Sequence, residues 1–150
     1  PSITHGRAEP MQTIRRPVAP RECDILGHMN VAAYVDAVSD AMFALQEAVG
    51  LGRHQIDTGR RSFVAAHVAA DYRAEMLAGE VFSIESRVLR VGTKSARFAH
   101  RMIRVADGAC VFEAENVSVY FDLDTRRALA IPQALRAALD ALKDGDGDAA

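Results

Sequence analysis

Tryptophan is absent from the 150 residues, aromatic side chains make up only 6% of them, and there are two cysteines, Cys23 and Cys110. Two thiols without paired spacing build neither a disulfide scaffold nor a zinc site, and they point to a reducing, cytoplasmic compartment. No apolar run approaches the length of a membrane span, and the first ten residues have no signal-peptide core, so neither a membrane nor a secretory reading is expected. GxGxxG and P-loop patterns are missing, which removes dinucleotide oxidoreduction and nucleotide hydrolysis. His5, His28, His54, His67 and His100 are scattered and form no ligand pair, so neither a metal nor a cofactor is expected. Charge of one sign is lacking too: 18 Lys+Arg stand against 20 Asp+Glu, and with so few aromatics nothing marks a nucleic-acid surface.

What is present is an ordinary globular composition, 49% hydrophobic. A domain of this size can remove roughly two-thirds of its unfolded surface from water. Residues 1–10, with two prolines, a glycine and no periodicity, read as a flexible leader, and the Asp-Gly alternation of residues 144–150 reads as a flexible acidic tail. A single domain is expected over residues 11–143.

Val31, Val35, Val38, Met42, Leu45 and Val49 recur at steps of four and three and predict a helix from Val31 to Val49 with one apolar stripe. Alanines flank the stripe. Asn30 is a good N-cap and Gly50 a good left-handed stop. Met11–Val18 predicts a strand before this helix. After it, Ser62–Tyr72, Val81–Val91, Ala96–Val105 and Ala109–Phe121 are rich in Val, Ile, Phe and Tyr and are separated by turn signals, among them Asp107-Gly108. In the last of these the apolar residues change phase between Ala114 and Val117, which predicts a bulge or strong bend near Glu115 and Asn116. Pro132 opens a second helix carrying Leu135, Leu139 and Leu142. One apolar helix beside a large antiparallel meander is an α+β arrangement in which the sheet wraps the helix.

Chemistry concentrates between the first strand and the long helix, in Arg21-Glu22-Cys23-Asp24-Ile25-Leu26-Gly27-His28-Met29-Asn30. A helix N-terminus carries unsatisfied N–H groups and a partial positive charge, suited to polarising a carbonyl or holding an oxyanion. If Asn30 caps, its side chain takes the amide two or three residues on and leaves the Val31 amide for a ligand. Asp24 lies six residues before the cap and is not the capping carboxylate. Cys23 beside it has no cysteine-enzyme signature around it, and a small buried thiol is its expected state.

Cys23-Asp24-x-x-Gly27-His28-Met29-Asn30, with Tyr34 a turn further on, resembles the signature of the 4-hydroxybenzoyl-CoA thioesterase-like branch of the hotdog-fold superfamily. The resemblance implies a long helix wrapped by a curved antiparallel sheet, and protomers joined edge to edge as a homodimer, or further as a tetramer, with acyl-CoA sites at the interface. It implies Asp24 as the catalytic carboxylate, acting as nucleophile or as general base toward water. It gives the Val31 backbone amide the thioester carbonyl, has Gly27, His28 and Asn30 shape the acyl pocket, and places Tyr34 beside them. Many relatives have a second asparagine where this chain has Val31, a difference to which a backbone amide is indifferent. Coenzyme A enters as part of the substrate.

Arg87, Arg90, Lys94, Arg97, Arg101 and Arg104 put six cations in residues 86–106 with no intervening acid. With the resemblance in view, the turn Gly92, Thr93, Lys94 and Ser95, with Arg97, becomes a candidate rim for the phosphates of coenzyme A; the plainer reading is a solvated charged sheet face. Two other functions compete with hydrolysis: a hotdog hydratase or dehydratase using His28 and Asp36, and a non-catalytic acyl-CoA-binding module.

Overall fold

The computed structural model describes residues 9–143; the expected tail, and all but the last two residues of the expected leader, lie outside the described residues. The chain runs β1 (Met11–Pro17), a 3-10 turn (Pro20–Glu22), α1 (Val31–Ala48), α2 (Arg53–Gly59), β2 (Arg61–Tyr72), β3 (Val81–Val91), β4 (Ser95–Arg104), β5 (Cys110–Asp122), β6 (Arg127–Ala128) and α3 (Gln133–Ala141). All strand pairs are antiparallel in the order β1-β3-β4-β5-β2, with the short β6 on β5. The sheet curls around α1, the α+β arrangement that the resemblance implied.

The ends of α1 follow from its caps. Asn30 is extended (φ −69°, ψ 146°) and accepts from the Ala32 N–H, while Gly50 takes φ +85°, a conformation that costs glycine little. The buried face differs from the predicted stripe. Tyr34, Ala37, Val38, Ala41, Met42 and Leu45 face the core, whereas Val31 and Val35 are exposed, as is Phe43. The alanines are the reason, because their small side chains let the helix backbone lie close to the sheet. Val31 and Val35 are thereby turned toward the open side, next to β2.

Strand β5 corrects a second expectation. Its inward residues run Phe112, Ala114, Asn116, Ser118 and Tyr120 without a change of phase, so no bulge lies at Glu115 and Asn116. The extra residue falls on the partner strand instead, between Ala65 and His67 of β2, opposite Ser118 and Val117. Polarity misled the pattern because Asn116 and Ser118, 3% and 2% exposed, are on the inner face and hydrogen-bonded there.

Those polar residues belong to a seam between two apolar clusters. One cluster gathers Val18, Met29, Tyr34, Phe82, Ile84 and Phe112 around the first half of α1; the other gathers Leu45, Phe63, Phe98, Tyr120 and Leu139 around its second half and α3. The seam crosses the sheet from Thr13 through Ser86 and His100 to Asn116 and Ser118.

Candidate active site

The segment before α1 is a tightly bonded loop. Cys23 and Met29 form an isolated antiparallel bridge, the Asp24 N–H donates to the His28 carbonyl (3.2 Å), and the Gly27 N–H donates to the Asp24 carbonyl (3.0 Å). Gly27 has φ +87°, which requires glycine or strain. The loop is anchored at both sides: the Met29 N–H donates to Met76 O and the Asn30 N–H to Glu22 O, each at 2.8 Å. Glu22, whose role the sequence had hidden, also accepts from the Ala19 N–H and from the two terminal nitrogens of the Arg16 guanidinium, which holds its carboxyl below the usual range.

Within this frame the Asp24 carboxylate is fixed from two directions. Oδ2 accepts from Asn30 Nδ2 (2.7 Å) and Oδ1 from the Leu26 N–H (2.8 Å). Both bonds favour the ionised form, Asn30 most, and lower the pKa of Asp24 from its ordinary value, with a small contribution from His28. Asn30 thus joins the carboxylate to the helix, because its Oδ1 accepts from Ala32 N (2.9 Å) while its Nδ2 holds Asp24. The next amide, Val31 N–H, starts the helix and has no acceptor among the described residues. An ionised carboxylate and an unpaired helix N-terminal amide therefore flank the same cap residue.

Asp24 and Asn30 line an open depression of about 730 Å³ together with Arg21, Glu22, Cys23, Ala32, Ala33, Val35, Asp36 and Ser39. His28 lies elsewhere. It opens onto a smaller hollow with Val31, Tyr34, Tyr72 and Glu75, its Nδ1 3.1 Å from its neighbour's Met29 carbonyl and its Nε2 3.6 Å from Glu75. Tyr34 is 3% exposed and packs edge-on against Tyr72 and tilted against Phe112; burial raises its pKa. Tyr72, which sequence reasoning passed over as a strand residue, donates its hydroxyl to Val31 O at 3.0 Å. His28 and Asp36, the pair a hydratase reading needs, line different hollows.

The basic residues are not gathered beside Asp24. Arg101 pairs with Glu113 and Glu85, and Arg104 with Asp107. Gly92, Ser95, Arg90 and Arg97 line a shallow hollow at the turn between β3 and β4, with Thr93 and Lys94 exposed at its tip. The turn is pinned from behind: Ile131 N donates to Thr93 O, Tyr120 N to Lys94 O, and Arg136 Nη2 to Gly92 O (2.6 Å). It lies at the far end of β3 from the Asp24 loop, whose neighbours Val18 and Glu80 are bonded at the strand's start. At about 3.3 Å per residue the strand separates them by about 33 Å of its length.

Comparison with known proteins supplies the family. The model of the thioesterase-like superfamily matches residues 18–139. The L-carnitine dehydrogenase/betainyl-CoA thioesterase of Agrobacterium fabrum is 32% identical over 120 residues, 79% of this chain, which spans 24% of that relative's length. Among solved structures, a hypothetical protein of Staphylococcus aureus in complex with CoA superposes with a TM-score of 0.81 at 18% identity, covering 88% of this chain and 84% of its own. The 1,4-dihydroxy-2-naphthoyl-CoA thioesterase of Synechocystis superposes with a TM-score of 0.76 at 15% identity, covering 86% and 95%. No helix among the described residues is long and apolar enough to cross a membrane. With its hotdog fold and a family match over most of its length, the chain belongs to the thioesterase-like superfamily.

Proposed function

We propose that this protein hydrolyses an acyl-CoA thioester with Asp24 as the reacting carboxylate and the Val31 N–H as the oxyanion donor. The observation that carries this reading is the arrangement around Asn30, which holds an ionised Asp24 on one side of the cap and leaves the Val31 amide unpaired on the other. A thioester carbonyl seated on that amide is polarised by the helix N-terminus. Asp24 then attacks the carbonyl carbon to give an anhydride that water opens, or takes a proton from the attacking water; in either case the thiolate of coenzyme A departs. Gly27 and Asn30 shape the turn, and Tyr34 and His28 form the opposite wall of the helix N-terminus.

The working unit is a homodimer, with a tetramer as a further assembly. Among the described residues strand β2 pairs on one side only, with β5, and residues 65–72 are exposed, with small residues at Ala65, Ala66, Ala69 and Ala70. An open edge of this kind accepts a second copy. Such pairing brings one protomer's phosphate-binding turn, Gly92 to Ser95 with Arg97, toward the other's Asp24, which a single chain keeps far apart. Asp24→Asn tests the assignment: kcat for thiol release should fall by about 10²- to 10⁴-fold with the far-ultraviolet spectrum unchanged. Retention of most activity would remove Asp24 from the mechanism.

A further inference from the structure

A second cleft, of about 280 Å³, lies between α1 and the sheet, lined by Val35, Val38, Met42, Phe43, Phe63 and Val68 along its walls. It meets the Asp24 depression at Val35 and Ser39, which line both. At 1.5 Å per residue the cleft follows about 17 Å of the helix, from Val35 to Gln46. Its walls are apolar, but its floor is not: Asn116 and Ser118 line it, with Gln46, whose Nε2 is taken by Ser62 Oγ.

The direction of the hydrogen bonds along the seam determines what that floor presents. The oxygen of the Asn116 amide faces His100 Nε2 at 2.9 Å, and an amide oxygen only accepts, so Nε2 carries the hydrogen. His100 is 1% exposed and burial pushes its pKa down to about 4, so the ring is neutral and Nδ1 is an acceptor. Ser86 therefore donates to Nδ1 (2.7 Å), and the Thr13 hydroxyl, whose hydrogen is shared with the Ile84 carbonyl (3.2 Å), donates to Ser86 (2.8 Å). At the other end Asn116 Nδ2 donates to Ser118 Oγ (2.9 Å). Each member passes its hydrogen to the next, and the run ends at the Ser118 hydroxyl. Its own hydrogen has no acceptor among the described residues, although the side chain is buried. A buried donor without an acceptor is costly, and the cleft is where one can be supplied.

We propose that Ser118, oriented by Asn116 and His100, is a specificity-determining residue at the floor of the acyl subsite, selecting acyl groups that carry an oxygen acceptor, such as a keto, ether or hydroxyl oxygen, over plain hydrocarbon chains. This rests on the thioesterase reading above for the identity of the ligand. The apolar walls accept the carbon skeleton, and the floor rewards one oxygen placed against Ser118 Oγ.

The test is a calorimetric comparison of non-hydrolysable acyl-CoA thioethers, in pairs that differ only by replacement of a methylene with an oxygen or a carbonyl at successive positions. The wild-type protein should bind one oxygenated member about ten- to a hundredfold more tightly than its hydrocarbon partner. Ser118→Ala should bring the pair to within a few fold by weakening the oxygenated ligand alone, and Ser118→Cys, a weaker donor, should fall between. Equal binding of every pair by the wild type, or a Ser118→Ala loss shared equally by both members, overturns the proposal. Hydrolysis of the matching thioesters is measured alongside. A binding preference without turnover would overturn the hydrolase reading and leave the subsite standing, whereas no binding of any analogue would overturn both.

Discussion

The two ends of β3 do different kinds of work. At its start lies a loop whose amides are committed to defined partners, with the Asp24 carboxylate and the unpaired Val31 N–H on either side of the Asn30 cap. At its end lies a turn of Gly92 to Ser95 with Arg90 and Arg97, where Thr93, Lys94 and both arginines are exposed and the carbonyls of Gly92, Thr93 and Lys94 are tied down by Arg136, Ile131 and Tyr120. The first end is built for geometry and the second for charge. Breaking a thioester needs atoms fixed within a fraction of an ångström, whereas attracting a phosphate needs only positive potential at moderate range. Within one chain the carboxylate and the basic turn stand at opposite ends of β3, too far apart to meet one ligand unless a second copy intervenes as proposed above.

Hybrid dimers are expected to give the largest effect. At substrate concentrations well below KM, homodimers carrying Asp24→Asn are expected to be nearly inactive, and homodimers carrying Arg97→Glu together with Lys94→Glu to be strongly impaired through KM alone. Co-expressed with separate tags and purified as the mixed dimer, they should recover about half of the wild-type rate, because one of the two sites then has both intact parts. A mixed dimer no better than its parents would place the basic turn outside the site. Alone, Arg97→Glu with Lys94→Glu should raise KM for acyl-CoA about tenfold at low ionic strength with kcat kept, and added salt should raise the wild-type KM toward it. An unchanged KM would return the turn to a solvated charged face.

The polar seam gives a stability signal that neither end of the strand shares. His100 has its folded pKa lowered to about 4, against about 6.5 when unfolded, so the unfolded chain binds the proton more readily between those values. Stability is therefore fully present above about pH 6.5 and declines as pH falls toward 4, by about 2 kcal/mol between pH 7 and pH 5. Urea unfolding at the two pH values measures it, and His100→Gln should flatten that part of the curve. Asp24 runs differently: its folded pKa is lowered, so its contribution holds above the ordinary aspartate range and fades only as pH falls through the lower folded value. An acid limb of kcat above pH 5 would contradict an Asp24 held ionised in this way. Asn30→Ala, the smallest of these effects on stability, removes one cap and should cost about 1 kcal/mol in thermal or urea unfolding.

Much of the fold was legible where local chemistry decides it. Gly79, Gly92 and Asp107-Gly108 bracket runs of β-branched and aromatic residues, so the bounds of β3, β4 and β5 were readable to within one residue. Asn30 and Gly50 bracket α1 in the same way. Burial was less legible, because alanine and valine both count as apolar and only packing against the sheet shows that Ala37 and Ala41 face inward while Val31 and Val35 do not. α2 escaped notice because Arg53–Gly59 has no apolar period, and only Ile56 packs against the core. The Asp24 loop was readable as a motif, but its anchors at Glu22, Arg16 and Met76 come from other elements and carry no local signal. The distance between Asp24 and the basic turn was not legible at all, since it follows from strand order across the whole sheet.

The proposed oxyanion donor is one backbone N–H, and proline removes it with little disturbance. Val31 is the first residue of α1, where proline is well tolerated, and Asn30 already has the extended backbone that a following proline requires. Steady-state hydrolysis by Val31→Pro is therefore the most direct measurement, with Val31→Ala, which keeps the amide, beside it. The expected result is a fall in kcat of about 10²- to 10³-fold for proline, near-normal activity for alanine, and similar melting temperatures for both. A Val31→Pro enzyme that stays folded and turns over as fast as Val31→Ala would contradict the assignment of this amide as the oxyanion donor.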